Sequence, residues 1–171
     1  MSLAFSTLVS GLKRPVFLRK IDRKSDWGHD ADIQTERLGN AVSKVFHGCD
    51  NRFSIYCVDN NDDLRAVVVG LNSGRHSPNQ QLDFVAFTED EFQTVGIELE
   101  RTAGKTNCGQ ANRLHLDAHF KDVIDLSRLC QLAMYTKRLP FRISRSEAKS
   151  LSEDAAKNGC GAVVSIPGCG C

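Results

Sequence analysis

The sequence predicts an α+β fold: a mostly antiparallel sheet with three or four helices packed largely on one face. Three observations carry it. Residues 113–121 alternate without exception, with Leu114, Leu116, Ala118 and Phe120 between Arg113, His115, Asp117, His119 and Lys121, which is the period of a half-buried strand. Thr88 with Glu91 and Ser144 with Glu147 have the spacing of a capping box, a helix-opening signal. Strand-like runs gather early and helical ones late, joined by loops that suit antiparallel neighbours.

Element by element, Val16–Asp22 mixes apolar and basic residues and reads as an edge strand, guarded by Arg19 and Lys20. Leu38, Ala41, Val42, Val45 and Phe46 recur at helical spacing, with Asp30 or Asp32 as a cap and Gly48 as a stop, which predicts a helix over about residues 32–47. Arg52–Asp59 places Phe53, Ile55 and Cys57 on one face of a strand. Asn60, Asn61, Asp62 and Asp63 have turn chemistry. Leu64–Leu71 is β-branched and apolar on both faces in its second half, the pattern of a central strand. Residues 72–80, with Gly74 and Pro78, form a loop before a strand at Gln81–Phe87. The Thr88 box opens a short helix to Val95, and Gly96 ends it. Ile97 and Leu99 alternate with Glu98 and Glu100 as a further strand, and Ala103–Asn112 is a polar loop. Asp125 caps a helix through Arg138, with Leu129, Cys130, Leu132, Ala133 and Met134 on its buried side and Pro140 as its end. The Ser144 box opens a helix to about Asn158, and Gly161–Ile166 is a last apolar run.

At 171 residues the chain has room for one domain with a real core over 1–171, residues 167–171 forming a Cys/Gly tail. No stretch approaches eighteen apolar residues, so none reads as a membrane span. Seven cysteines, an odd number behind an N-terminus without the charged opening of a secretory leader, predict reduced thiols in the cytoplasm. The acid-free stretch 1–21 also has the composition of an organelle transit peptide.

The net charge of +1 hides a partition. Residues 1–30 carry six basic and three acidic side chains, residues 31–100 five and twelve, residues 101–171 eleven and six. Basic ends around an acidic middle permit an electropositive surface on a nearly neutral protein. Lys13, Arg14, Arg19, Lys20, Arg23 and Lys24 cluster with Phe17 and Trp27; Lys137, Arg138, Arg142, Arg145 and Lys149 cluster with Tyr135 and Phe141. Cations beside aromatics suit phosphate neutralisation and base stacking.

Other motifs lack their context. His115 and His119 would share a metal on a helix, but four residues of strand separate them by about 13 Å, too far for ligands that bind at about 2 Å; both are expected on an exposed polar face. Ala103-Gly104-Lys105-Thr106 ends like a phosphate-binding loop, yet Leu99 stands where the first glycine is required. Cys108 in a Gly-flanked loop, with His115 or His47 as base, is the minimum of a thiol catalyst. Cys160, Cys169 and Cys171 lie among glycines but lack paired Cys-x2-4-Cys knuckles.

The reading that follows is a small intracellular, non-catalytic binding or regulatory protein whose basic surface engages nucleic acid or another polyanion. Arg14, Arg19, Lys20, Arg23, Lys24, Arg138, Arg142 and Arg145 are its expected phosphate contacts, with no metal and no cofactor. The alternatives are a thiol- or zinc-dependent enzyme using Cys108 or the Cys160/Cys169/Cys171 cluster, and a protein–protein adaptor working through the acidic middle, Asp83 to Glu100.

Overall fold

A computed structural model describes residues 11–22, 27, 39, 41–46, 51–73, 80–136 and 140–158. Six strands, β1 (Val16–Ile21), β2 (Arg52–Val58), β3 (Leu82–Thr88), β4 (Glu98–Arg101), β5 (His115–His119) and β6 (Phe141–Ile143), form one sheet in the order β4-β5-β2-β1-β3-β6. Every neighbouring pair is antiparallel. Five α-helices join it: α1 (Asn61–Ser73), α2 (Glu89–Val95), α3 (Gly109–Leu114), α4 (Val123–Tyr135) and α5 (Arg145–Asn158). The fold class is therefore α+β, as the alternation and capping boxes predicted.

The expected layer of three or four helices largely on one face is corrected: among the described residues five α-helices lie on two faces. On one face Phe17, Phe53, Ile55, Val85 and Phe87 pack against Phe92 and Val95 of α2 and Leu126, Leu129 and Ala133 of α4. On the other, Val16, Leu18, Tyr56, Val58, Phe84 and Ala86 pack against Leu64, Val67 and Val68 of α1 and Ala148 of α5. Phe84, Phe87 and Phe92 are fully buried, each adding about 2–3 kcal/mol of hydrophobic stabilisation.

The reason for the correction is α1. The run expected as a central strand is helical because the preceding polar cluster caps it. Asn60 Oδ1 accepts from the amides of Asp62 (2.9 Å) and Asp63 (3.0 Å), while Asp63 Oδ2 accepts from the Asp59 amide at 3.0 Å. Apolar residues surround the helix because it is sandwiched: Leu64, Val67 and Val68 face the sheet, and Ala66 and Val69 meet Ala111 of α3 and Ala155 of α5. A helix buried all round and a buried strand share this pattern.

Other boundaries moved for local reasons. The segment β1 is central, not an edge: Val16–Leu18 pair with β2 and Val16–Ile21 with β3. Asp122, not Asp125, caps α4, accepting from the amides of Ile124 at 2.7 Å and Asp125 at 3.2 Å; Asp125 returns the bond at the third helical position. Both capping boxes are formed, with Glu91 accepting from the Thr88 amide at 2.8 Å and Glu147 from the Ser144 amide at 2.9 Å. Residues 109–112 of the expected polar loop, together with Arg113 and Leu114 of the expected strand, are α3. Of the helix expected over 32–47, Ala41–Val45 forms one π-helical turn, and residues 32–38, 40 and 47 lie outside the described residues, as does the 161–166 run.

Candidate functional site

Strand alternation decides where the basic residues point. Arg19 falls on the face with Phe17, and Lys20 on the face with Leu18 and Phe84. At the end of β1, Lys20, Ile21 and Asp22 line a half-open cleft of about 360 Å³ together with Gln80, Gln81 and Arg145. Each wall has a structural cause. Gln80 and Gln81 lead into β3, which pairs with β1, and Arg145 opens α5 directly after β6. Two expected phosphate contacts remote in sequence, Lys20 and Arg145, thus share one concavity.

Its electrostatics are mixed. Lys20 Nζ lies 3.2 Å from Asp22 Oδ1, the lysine side chain 22% exposed and the aspartate 78%. Ser144 Oγ accepts from the Glu147 amide at 3.3 Å at the start of α5. Hydrogen bonds from the Ser144 hydroxyl and amide hold the Glu147 carboxyl below the usual carboxylate range.

The remaining expected contacts are placed differently. Arg14 is exposed on the segment entering β1. Arg19 is half-buried: its guanidinium donates to the Ser54 carbonyl at 2.9 Å and sits 5.7 Å from the Phe53 ring centroid, and burial draws its pKa down. Arg142 forms a two-pronged pair with Asp83, 2.7 Å from Nε and 2.8 Å from the terminal nitrogen, and those hydrogen bonds push its pKa up. Arg19 and Arg142 thus make internal bonds on the sheet face opposite Lys20. Arg23, Lys24 and Arg138 lie outside the described residues.

The acidic middle is largely engaged within the fold. Asp83 is buried against Arg142, Asp90 pairs with Lys13 at 3.3 Å, Glu91 caps α2, and Glu100 pairs with His119 at 2.9 Å.

Cys108 is fully buried with Ala66, Val69, Ala111 and Ala155; it precedes α3, and its amide donates to Thr106 Oγ1 at 3.2 Å. Burial pushes the Cys57 and Cys130 thiols up, away from the reactive thiolate. Cys160, Cys169 and Cys171 lie outside the described residues, and among those described no group of three His, Cys, Asp or Glu side chains could hold a metal ion.

His115 departs from the expected exposed face. It is buried, its Nδ1 2.9 Å from Thr102 Oγ1 and its ring edge-on to Tyr56 at 5.4 Å. Strand alternation does place it beside Asp117 and His119, but α3 and the 102–108 loop cover its end of the row. That loop is a turn sealed by Asn112, which accepts from the Thr106 amide at 2.8 Å and donates to the Thr106 carbonyl at 2.8 Å.

Sequence reasoning missed Gln80, Gln81 and Asp22 as site residues. Lysine and arginine inside what proved to be a central strand were the signal: a charge there needs a partner or an opening, and Lys20 has both. Among the described residues no helix is long and apolar enough to cross a membrane. No protein-family model matches the chain, and no curated protein or solved structure is significantly similar to it.

Proposed function

We propose that this chain is a small intracellular, non-catalytic binding protein that holds nucleic acid or a related polyanion in the cleft between β1 and the start of α5. One observation supports the reading above all: Lys20 and Arg145 line the same concavity. Two cations at one concavity can neutralise adjacent phosphates, and the flanking amides of Gln80 and Gln81 can donate to phosphate or base oxygens. Of the expected contacts, Lys20 and Arg145 carry the reading, while Arg19 and Arg142 serve the fold.

The experiment is a salt titration of single-stranded oligonucleotide binding by fluorescence anisotropy. Affinity should fall steeply between about 50 and 200 mM salt. Replacing both Lys20 and Arg145 by Ala should reduce the slope of log K against log[salt] by about 1.4, the value for two single-strand phosphate contacts. Binding that ignores salt removes the proposal.

A further inference from the structure

The cleft contains a carboxylate as well as cations, and this narrows its ligand. Asp22 is 78% exposed and lines the same concavity as Lys20 and Arg145. An ionised carboxylate only accepts hydrogen bonds. Against a bare phosphate chain it is a like charge, which opposes binding. It becomes favourable when the ligand brings a hydroxyl close to its phosphate. The ribose 2′-hydroxyl is such a donor, and its presence is what distinguishes RNA from DNA at a given site. Gln80 and Gln81 add carboxamides, which carry both donors and acceptors and suit the edge of an unpaired base. A volume of about 360 Å³ lies at the small end of ligand sites, which suits one nucleotide unit better than a base pair.

Resting on the polyanion reading above, we infer that the cleft takes one ribonucleotide of a single strand, with Lys20 and Arg145 on its phosphates and Asp22 accepting from its 2′-hydroxyl, so that the protein prefers RNA to DNA. The Lys20–Asp22 ion pair then has a second role. It holds the ammonium beside the carboxylate, so that phosphate and hydroxyl are read together.

Fluorescence anisotropy with labelled decamers, about ten nucleotides and within the span of a single-strand site, tests this. One sequence is made as RNA, as DNA and as 2′-O-methyl RNA. RNA should bind about tenfold more tightly than DNA, a difference of about 1.4 kcal/mol, and the 2′-O-methyl strand should behave as DNA. Asp22→Ala gives effects of opposite sign: RNA binding weakens about tenfold while DNA binding strengthens, because a repulsive charge is gone. Asp22 is exposed, and an unchanged thermal melt of the variant checks that folding is intact. If Asp22→Ala strengthens both ligands alike, the ribose contact is overturned and the polyanion reading stands. If neither nucleic acid binds, that reading fails first. Full displacement of bound RNA by about 1 mM 5′-AMP, the scale of a weak mononucleotide site, would overturn the strand-bound form.

Discussion

Arg142 and Asp83 hold one another across β3 and β6, but the partners are unequal. The Asp83 side chain is 1% exposed and that of Arg142 44%. Removing the arginine takes a two-pronged pair of hydrogen bonds from a buried carboxylate, whereas neutralising the aspartate leaves a guanidinium that water can reach. Urea denaturation should therefore find Arg142→Ala more destabilising than Asp83→Asn; equal effects would show that the pair is solvated from both sides. His115 gives a pH dependence. Desolvation lowers its pKa from 6.5, against opposing contributions from Asp117 and the Thr102 hydrogen bond. The unfolded chain therefore binds a proton before the folded one does. The stability contributed by the neutral imidazole is complete above pH 6.5 and declines as the pH falls from there towards the folded value. His115→Gln should flatten this part of a stability–pH curve measured by chemical denaturation; an unchanged curve contradicts the assignment.

Helix α1 shows both what an element's sequence reveals and what it hides. The Asn60–Asp63 cluster was legible as a local hydrogen-bonding device, but turn and N-cap use the same chemistry. The Val67–Val69 run could not be told from a strand because periodicity vanishes when an element is buried all round. Loss of the cap in Asn60→Ala should cost about 1 kcal/mol in equilibrium unfolding. Gly70 is tied to the same sandwich. A Cβ there would lie 2.7 Å from the Ala111 Cβ and 2.8 Å from Thr106 Oγ1. Gly70→Ala should therefore destabilise: overpacking costs about 1–3 kcal/mol, against about 1 kcal/mol of helix propensity gained. A stabilised Gly70→Ala would mean that α3 moves away freely. By contrast α2 and α5 were legible almost to the residue, because capping boxes are local signals; β5 was legible as a strand from its alternation but is two residues shorter at each end, Arg113 and Leu114 belonging to α3. Strand β6 was not, since three residues carry no period.

At the scale of the whole molecule, the sheet sorts the basic residues into two groups. Neighbours in sequence, Arg19 and Lys20 go to opposite faces, one bonded to the Ser54 carbonyl and the other lining the cleft. The basic character of both chain ends was readable from composition. Which cations would be absorbed by the fold was not, because that depends on pairings such as β3 with β6 that no local pattern announces. The proposed site therefore sits where β1, the entry to β3 and the start of α5 converge, on the face opposite Arg142. The most direct test is an NMR titration of backbone amides with single-stranded RNA. The largest shifts should fall at Lys20–Asp22, Gln80, Gln81 and Arg145, with α2 and α4 unmoved. Shifts centred on α4 or Arg142, with the cleft silent, would contradict the assignment.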